Sequence, residues 1–243
     1  MKRLLIGFVT VAILAGIVGF IGITNIKALD KSGSELYEKN TVPIALLQDI
    51  STGFQRIRIN LFELSVTTSP EKRADLLKRI SERRAEIEKA SQDFEKRIVT
   101  AEGKKVFENY LQQRKEYVKV IEQVTALTGS GNNAQAFEYL QSAETERIRN
   151  AYQDSIEKMV DMKLTDADKR SDANTAQANS AELNMIIISA IAFLLAIFLG
   201  WFIARGVSRP VNRMVEASER LALGDTNLSV KTNTKDEIGI LAN

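Results

Sequence analysis

Hydrophobic positions follow two regimes along the chain. From Leu4 to Ile23, and again from Met185 to Ala204, no charged residue interrupts the sequence. Each run is about 20 residues, and at ~1.5 Å per helical residue that matches a bilayer core of ~30 Å. Between the two runs, apolar residues recur in steps of three and four. Leu47, Ile50, Phe54, Ile57, Leu61 and Leu64 trace one helical seam. Ile26, Leu29, Leu36, Tyr37 and Ile44 carry it back toward the first run, with Pro43 marking a bend or a new start.

Ser69-Pro70-Glu71 reads as a cap with proline at the first helical position. It predicts a second helix over about 70–99, with Ile80, Ile87 and Phe94 at heptad spacing. Gly103 predicts the next turn, and Val106, Tyr110, Tyr117, Ile121 and Val124 a third helix over about 104–128. Gly129-Ser130-Gly131-Asn132-Asn133 is the clearest loop signal. A fourth helix is expected from near Ala134, unbroken into the second apolar run, using Phe137, Leu140, Ile148, Tyr152, Ile156 and Met159. Helices in the order long, short, short, long, joined by short turns, predict an all-α, up-down-up-down four-helix bundle. Over 164–182 large apolar residues nearly vanish. That stretch reads as a solvated connector, or as a lightly packed helix that little buried area holds in place.

Charge sets an expected direction. Lys2 and Arg3 precede the first run, and Arg205, Arg209 and Arg213 follow the second with no acid before Glu216. Positive flanks on both outer ends place both termini in the cytoplasm and the bundle outside the membrane, in the periplasm where a cell has one. The expected divisions are a cytoplasmic N-terminus and first span at 1–24, a sensor bundle at 25–184, a second span at 185–204 and a cytoplasmic segment at 205–243. No A-x-A cleavage pattern follows the first run, so an uncleaved anchor is expected. Ala12/Gly16 and Ala15/Gly19 are small-xxx-small pairs, which would let two copies pack as a homodimer.

Composition narrows the chemistry. The 33 Lys and Arg nearly balance 31 acids, for a net charge of +2, which gives no reason to expect a nucleic-acid partner. With no Cys and no His, disulfides, thiol nucleophiles and covalent haem are out, and so is a metal site of the usual zinc type. There is no Gly-rich phosphate loop and no strand pattern that would build a cleft. No enzyme activity, catalytic residue or cofactor is expected.

The segment after the second run carries the most specific pattern. Ser208-Arg209-Pro210 predicts a helix start, and Val207, Val211, Met214, Ser218 and Leu221 a coiled-coil seam. Gly224-Asp225 predicts its stop, followed by an extended linker. Asp236-Glu237-Ile238-Gly239 then opens a second helix, its acids complementing the helix dipole. This segment resembles a HAMP domain, the helix–connector–helix relay of bacterial receptors. The resemblance rests on Pro210, the Gly224-x-Thr226-x-x-x-Val230 connector and Asp236-Glu237, and it implies a signalling role for Pro210, Gly224, Val230, Asp236 and Glu237. Thr226 stands where the family has a larger apolar residue. The second relay helix reaches Asn243 after about one turn, too short to hold itself together, so a piece of a longer protein or a truncated product is expected.

Span, helical sensor, span and relay together resemble the front of a methyl-accepting chemotaxis protein. The resemblance implies a membrane-bound homodimer that senses a small-molecule ligand or a periplasmic binding protein. It also implies that the signal reaches a cytoplasmic histidine kinase and its adaptor through a region beyond Asn243. The input half of a sensor histidine kinase or diguanylate cyclase, or a membrane-tethered helical scaffold, are the alternatives. In the family, ligands bind near the far ends of the first and fourth helices. The matching stretches hold Arg56, Arg58 and Asn60 in one and Thr145, Arg147, Arg149 and Tyr152 in the other. Arginines beside an amide suit a carboxylate, which makes Arg56, Arg58, Asn60, Thr145 and Arg147 the candidate ligand contacts.

Overall fold

The three-and-four spacing is realised as helix almost throughout. A computed structural model describes residues 2–224. Its elements are α1 (Lys2–Leu36), a π-helical turn (Tyr37–Thr41), α2 (Val42–Val66), α3 (Pro70–Glu95), α4 (Ala101–Gly129), α5 (Asn133–Gln141) and α6 (Ala143–Ala222). No strand occurs among the described residues. The fold is an all-α four-helix bundle accompanied by two helices long and apolar enough to cross a membrane. Val230, Asp236 and Glu237 lie outside the described residues.

Two units separate, one formed by residues up to Asp30 and from Ala176 onward, the other by Lys31–Thr175. In the first, the apolar stretches of α1 and α6 run antiparallel. A side chain on Gly7 would collide with Ile203, and a Cβ on Gly22 would stand 3.4 Å from Met185. Gly16 and Gly19 have nothing near their missing Cβ atoms. The apolar residues are turned outward, Phe8 at 69% and Phe193 at 67% exposure, the reverse of a water-soluble core. The Arg205 guanidinium lies 5.2 Å from the centroid of the Trp201 ring. An indole beside a cation is suited to a headgroup layer. Helix α6 continues through Pro210 instead of starting there. A single proline withholds only one N–H, and the turns on either side keep theirs. Gly224 has φ +91°, and its N–H closes onto the Leu221 carbonyl at 3.0 Å, the left-handed stop that only glycine takes without strain.

In the second unit, all six seam residues of α2, Leu47 to Leu64, are buried. Against them lie Leu76, Ile80, Ile87 and Phe94 of α3, Phe107, Tyr110, Tyr117 and Val124 of α4, and Tyr152, Ile156 and Met159 of α6. Each such side chain contributes roughly 1.5–3 kcal/mol by leaving water. Rings knit the middle, with Phe54 edge-on to Tyr117 at 5.0 Å and to Tyr152 at 4.8 Å. Gly53 lets α2 and α3 approach closely, since a Cβ there would come within 2.9 Å of Ile87.

Three local features differ from the sequence reading. Gly103 is not a turn but lies in the first turn of α4, its N–H capped by Thr100 Oγ1 at 3.0 Å. The fourth helix is broken at Ser142, whose ψ of 147° separates α5 from α6. The seam does not stay buried before α2: Ile26, Leu29 and Tyr37 are exposed. Its place there is taken by a buried amide, Asn40, in the π-helical turn.

Candidate functional site

Side chains two apart on a helix point about 200° apart, so neighbouring arginines need not converge. The structure separates them in this way. Arg58 lines a cavity of about 590 Å³ between α2 and the α5–α6 corner, together with Thr145, Arg149, Gln55, Phe62 and Tyr117. Arg56 lines a different groove of about 450 Å³ between α2 and α3, among Asp49, Arg83, Glu86 and Asp93. Asn60 and Arg147 line neither, and Arg147 is exposed.

The first cavity is built by local rules. Gln55, Arg58 and Phe62 follow the i, i+3, i+7 spacing of one helical face. Thr145 and Arg149 are one turn apart on α6. The break before them sets their position: Ser142 Oγ accepts from the Thr145 N–H at 3.2 Å and donates to the Tyr139 carbonyl at 2.8 Å. Thr145 is buried, with its hydroxyl 3.2 Å from Ser142 Oγ. Arg58 donates to Gln55 Oε1 at 2.6 Å and lies over the Phe54 ring. Arg149 faces Glu146 at 3.3 Å, an exposed pair worth little.

Burial pushes the Tyr117 phenol well above its usual range, while the Arg58 and Arg149 guanidinium groups pull it the other way. Both cations therefore bear on one buried hydroxyl. Two arginines against one glutamate leave the cavity with an excess of positive charge. Its volume is in the range of small-ligand pockets, roughly 300–1,000 Å³. Bidentate guanidinium geometry suits a carboxylate. Gln55 is not a sequence candidate and Tyr117 is expected there only as a seam residue of the third helix; same-face spacing from Arg58 and Thr145 is the signal that favours Gln55 and Arg149 over Arg56 and Arg147. No group of three or more acids that could hold a metal ion occurs among the described residues.

A polar cluster lies elsewhere on the same unit. Asn40 Nδ2 donates to the Lys163 carbonyl at 3.1 Å and to Asp166 Oδ2 at 3.0 Å, while Lys163 Nζ donates to the Lys39 carbonyl at 3.0 Å. Arg170 reaches Asp166 at 3.2 Å and Glu35 at 3.8 Å. This cluster ties the π-helical turn to a stretch of α6 in which no residue from 164 to 184 is buried.

The family model for the four helix bundle sensory module for signal transduction matches residues 1–178. The chain belongs to that family. The HAMP domain model matches residues 202–243. A protein with a sensory-transducer name in Acetivibrio thermocellus is 38% identical over 127 residues, 52% of this chain and 23% of the relative. The similarly named YvaQ of Bacillus subtilis is 22% identical over 235 residues, 96% of this chain and 41% of the relative. The methyl-accepting chemotaxis protein TlpA of Bacillus subtilis is 29% identical over 70 residues, 27% of this chain and 11% of the relative. The chain thus spans less than half the length of the curated relatives it matches. No solved structure matches it. The chain carries a four-helix-bundle sensory module followed by a HAMP domain match, both of them input modules of signal transduction.

Proposed function

We propose that this chain is the sensing and relaying half of a transmembrane chemoreceptor that takes up a small organic anion between α2 and the α5–α6 corner. The observation that carries the ligand reading is the convergence of Arg58 and Arg149 on Tyr117 beside Thr145. In this reading residues 1–24 and 185–204 form or include the two spans, 25–184 is the periplasmic sensor, and 205–243 is the cytoplasmic relay. The outward-turned apolar residues and the flanking arginines support that orientation. Two copies would pack through the uncovered Gly16 and Gly19 face of α1, where small residues permit close approach. A cytoplasmic histidine kinase and its adaptor would receive the signal through protein beyond Asn243. Ligand uptake would bias the sensor between two arrangements, and α6, which carries both the sensor contacts and the second apolar run, would pass on the difference.

Isothermal titration of the full chain in lipid nanodiscs with a panel of aliphatic carboxylates and amino acids tests the ligand assignment. At least one compound should bind, and Arg149→Ala should weaken it about tenfold or more, the loss of a charged hydrogen bond. Silence across the panel, or equal affinity in the variant, would remove this cavity from the account.

A further inference from the structure

The inward-facing residues keep one count above the π-helical turn and another below it. Leu61, Phe54, Leu47 and Asn40 are buried at intervals of seven. Another seven back is Gly33, with Tyr37, Leu29 and Ile26 on the same helical face, the apolar row that sequence predicts. Gly33 is exposed instead, and so are Tyr37, Leu29 and Ile26. The residue that meets α6 is Ser32, eight back from Asn40, whose hydroxyl donates to Asn174 Oδ1. The π-helical turn holds the extra residue: the Val42 N–H bonds the Tyr37 carbonyl, five residues back rather than four.

Little holds the residues before the turn in this phase. Their contacts with α6 are the Ser32–Asn174 hydrogen bond and a 3.8 Å approach of Arg170 to Glu35, both part-exposed, and such pairs contribute little. The half-buried α6 residues over this stretch are Asp166, Ala167, Arg170 and Asn174. None is a large apolar group that would fix one phase by packing. Above the turn the hold is firmer. Asn40 is buried against the Lys163 carbonyl and Asp166, and Lys163 satisfies the Lys39 carbonyl that Pro43 leaves open.

We infer that the π-helical turn is a two-position switch. Its conversion to plain α-helix turns the residues before it by about 100° and advances them by about 1.5 Å. Ser32 and Glu35 then leave α6, Gly33 takes the place of Ser32, and the face that carries Tyr37, Leu29 and Ile26 turns inward. Asn40 keeps its place in both positions, because it counts with the α2 seam. The sequence thus carries two rows on one helix, a polar one used now and an apolar one held in reserve, and the turn selects between them. Helix α1 is continuous from Lys2 to Leu36, so a change of phase at its end is carried back along it. The switch is independent of the outer cavity beside Thr145 and Arg149; the sensory reading only gives it a use, and its test needs no ligand.

Disulfide formation in the full chain in nanodiscs reads both positions, since the chain has no native cysteine. Ser32→Cys with Asn174→Cys reports the present phase, and Gly33→Cys with Asn174→Cys reports the other. A Cβ on Gly33 meets nothing within 4 Å. Both pairs should close, the first faster. Deletion of the exposed Glu38 removes the extra residue and fixes the present phase in plain α-helix. In that variant the first pair should keep its rate, and the second should slow about tenfold or more, because Cβ vectors that point apart cannot be bridged. Arg170→Ala removes a contact of the present phase and should raise the rate of the second pair relative to the first about threefold, the effect of a part-exposed ion pair. No closure of the second pair, or equal closure with and without Glu38, overturns the proposal. Should the deletion variant fail to fold, Arg170→Ala decides, and an unchanged ratio of rates overturns it.

Discussion

At the scale of single residues, the least expected feature is Asn40. It occupies a place in the α2 seam where an apolar residue would be routine, and it is buried with its own Oδ1 unpaired. Pro43 supplies the reason that a polar group belongs nearby. In an α-helix its N–H would bond the Lys39 carbonyl, but proline has none; the Lys163 ammonium donates there instead. Burial pushes the Lys163 ammonium down, with Asp166 opposing that shift. Burial alone would push the Asp166 carboxyl up, but hydrogen bonds from Asn40 and Arg170 outweigh it and hold the carboxyl below its usual range. A depressed value in the folded state means that the contribution is complete above the unfolded value of about 3.9 and fades as the pH falls through the folded one. Asp166→Asn should therefore lower the melting temperature of the nanodisc-bound chain at pH 7, and the two proteins should converge in acid. Melting curves that stay parallel from pH 7 to pH 2.5 would mean that Asp166 contributes nothing through its charge.

At the scale of elements, much of the bundle is legible in sequence, and the exceptions are physical. The α2 seam could be read because six large residues at regular spacing leave one solution for a half-buried helix. The loop at 129–133 could be read because Gly131 takes a φ of +78°. The break at Ser142 could not: no glycine or proline marks it, and apolar residues continue on both sides. The signal is a capping serine alone. Its placement matters for the outer cavity, because the corner it makes sets the start of the turn that carries Thr145 and Arg149. Ser142→Ala should cost about 1 kcal/mol, as lost caps do, and lower the melting temperature by roughly 2–4 °C in a chain of this size. An unchanged melting temperature would show that the hydroxyl does not hold the corner. The candidate ligand contacts were half legible for a related reason. Residue type singled out arginines, but helical phase decides which of them share a face, and that favours Arg58 and Arg149 over Arg56 and Arg147.

At the scale of the whole molecule, apolar residues divide cleanly by environment. In Lys31–Thr175 the large ones are mostly turned inward, whereas in the two uncharged runs they are turned outward. Length, composition and flanking charge had indicated that contrast without coordinates, and the relay residues Val230, Asp236 and Glu237 rest on sequence alone. Glycines in the first run split by role: Gly7 and Gly22 face the other run, while Gly16 and Gly19 face nothing in their own chain. The small-xxx-small pairs Ala12/Gly16 and Ala15/Gly19 include only the second kind, and Gly7 and Gly22 belong to no such pair. In the proposed topology the bundle lies across a membrane from the segment after the second run. The absence of native cysteine makes this directly measurable. With Ser130→Cys and Ser218→Cys introduced singly, intact cells are treated with a membrane-impermeant maleimide. Labelling of Ser130→Cys is expected in intact cells, and of Ser218→Cys only after lysis. Equal labelling at both positions, or the reverse pattern, would contradict it.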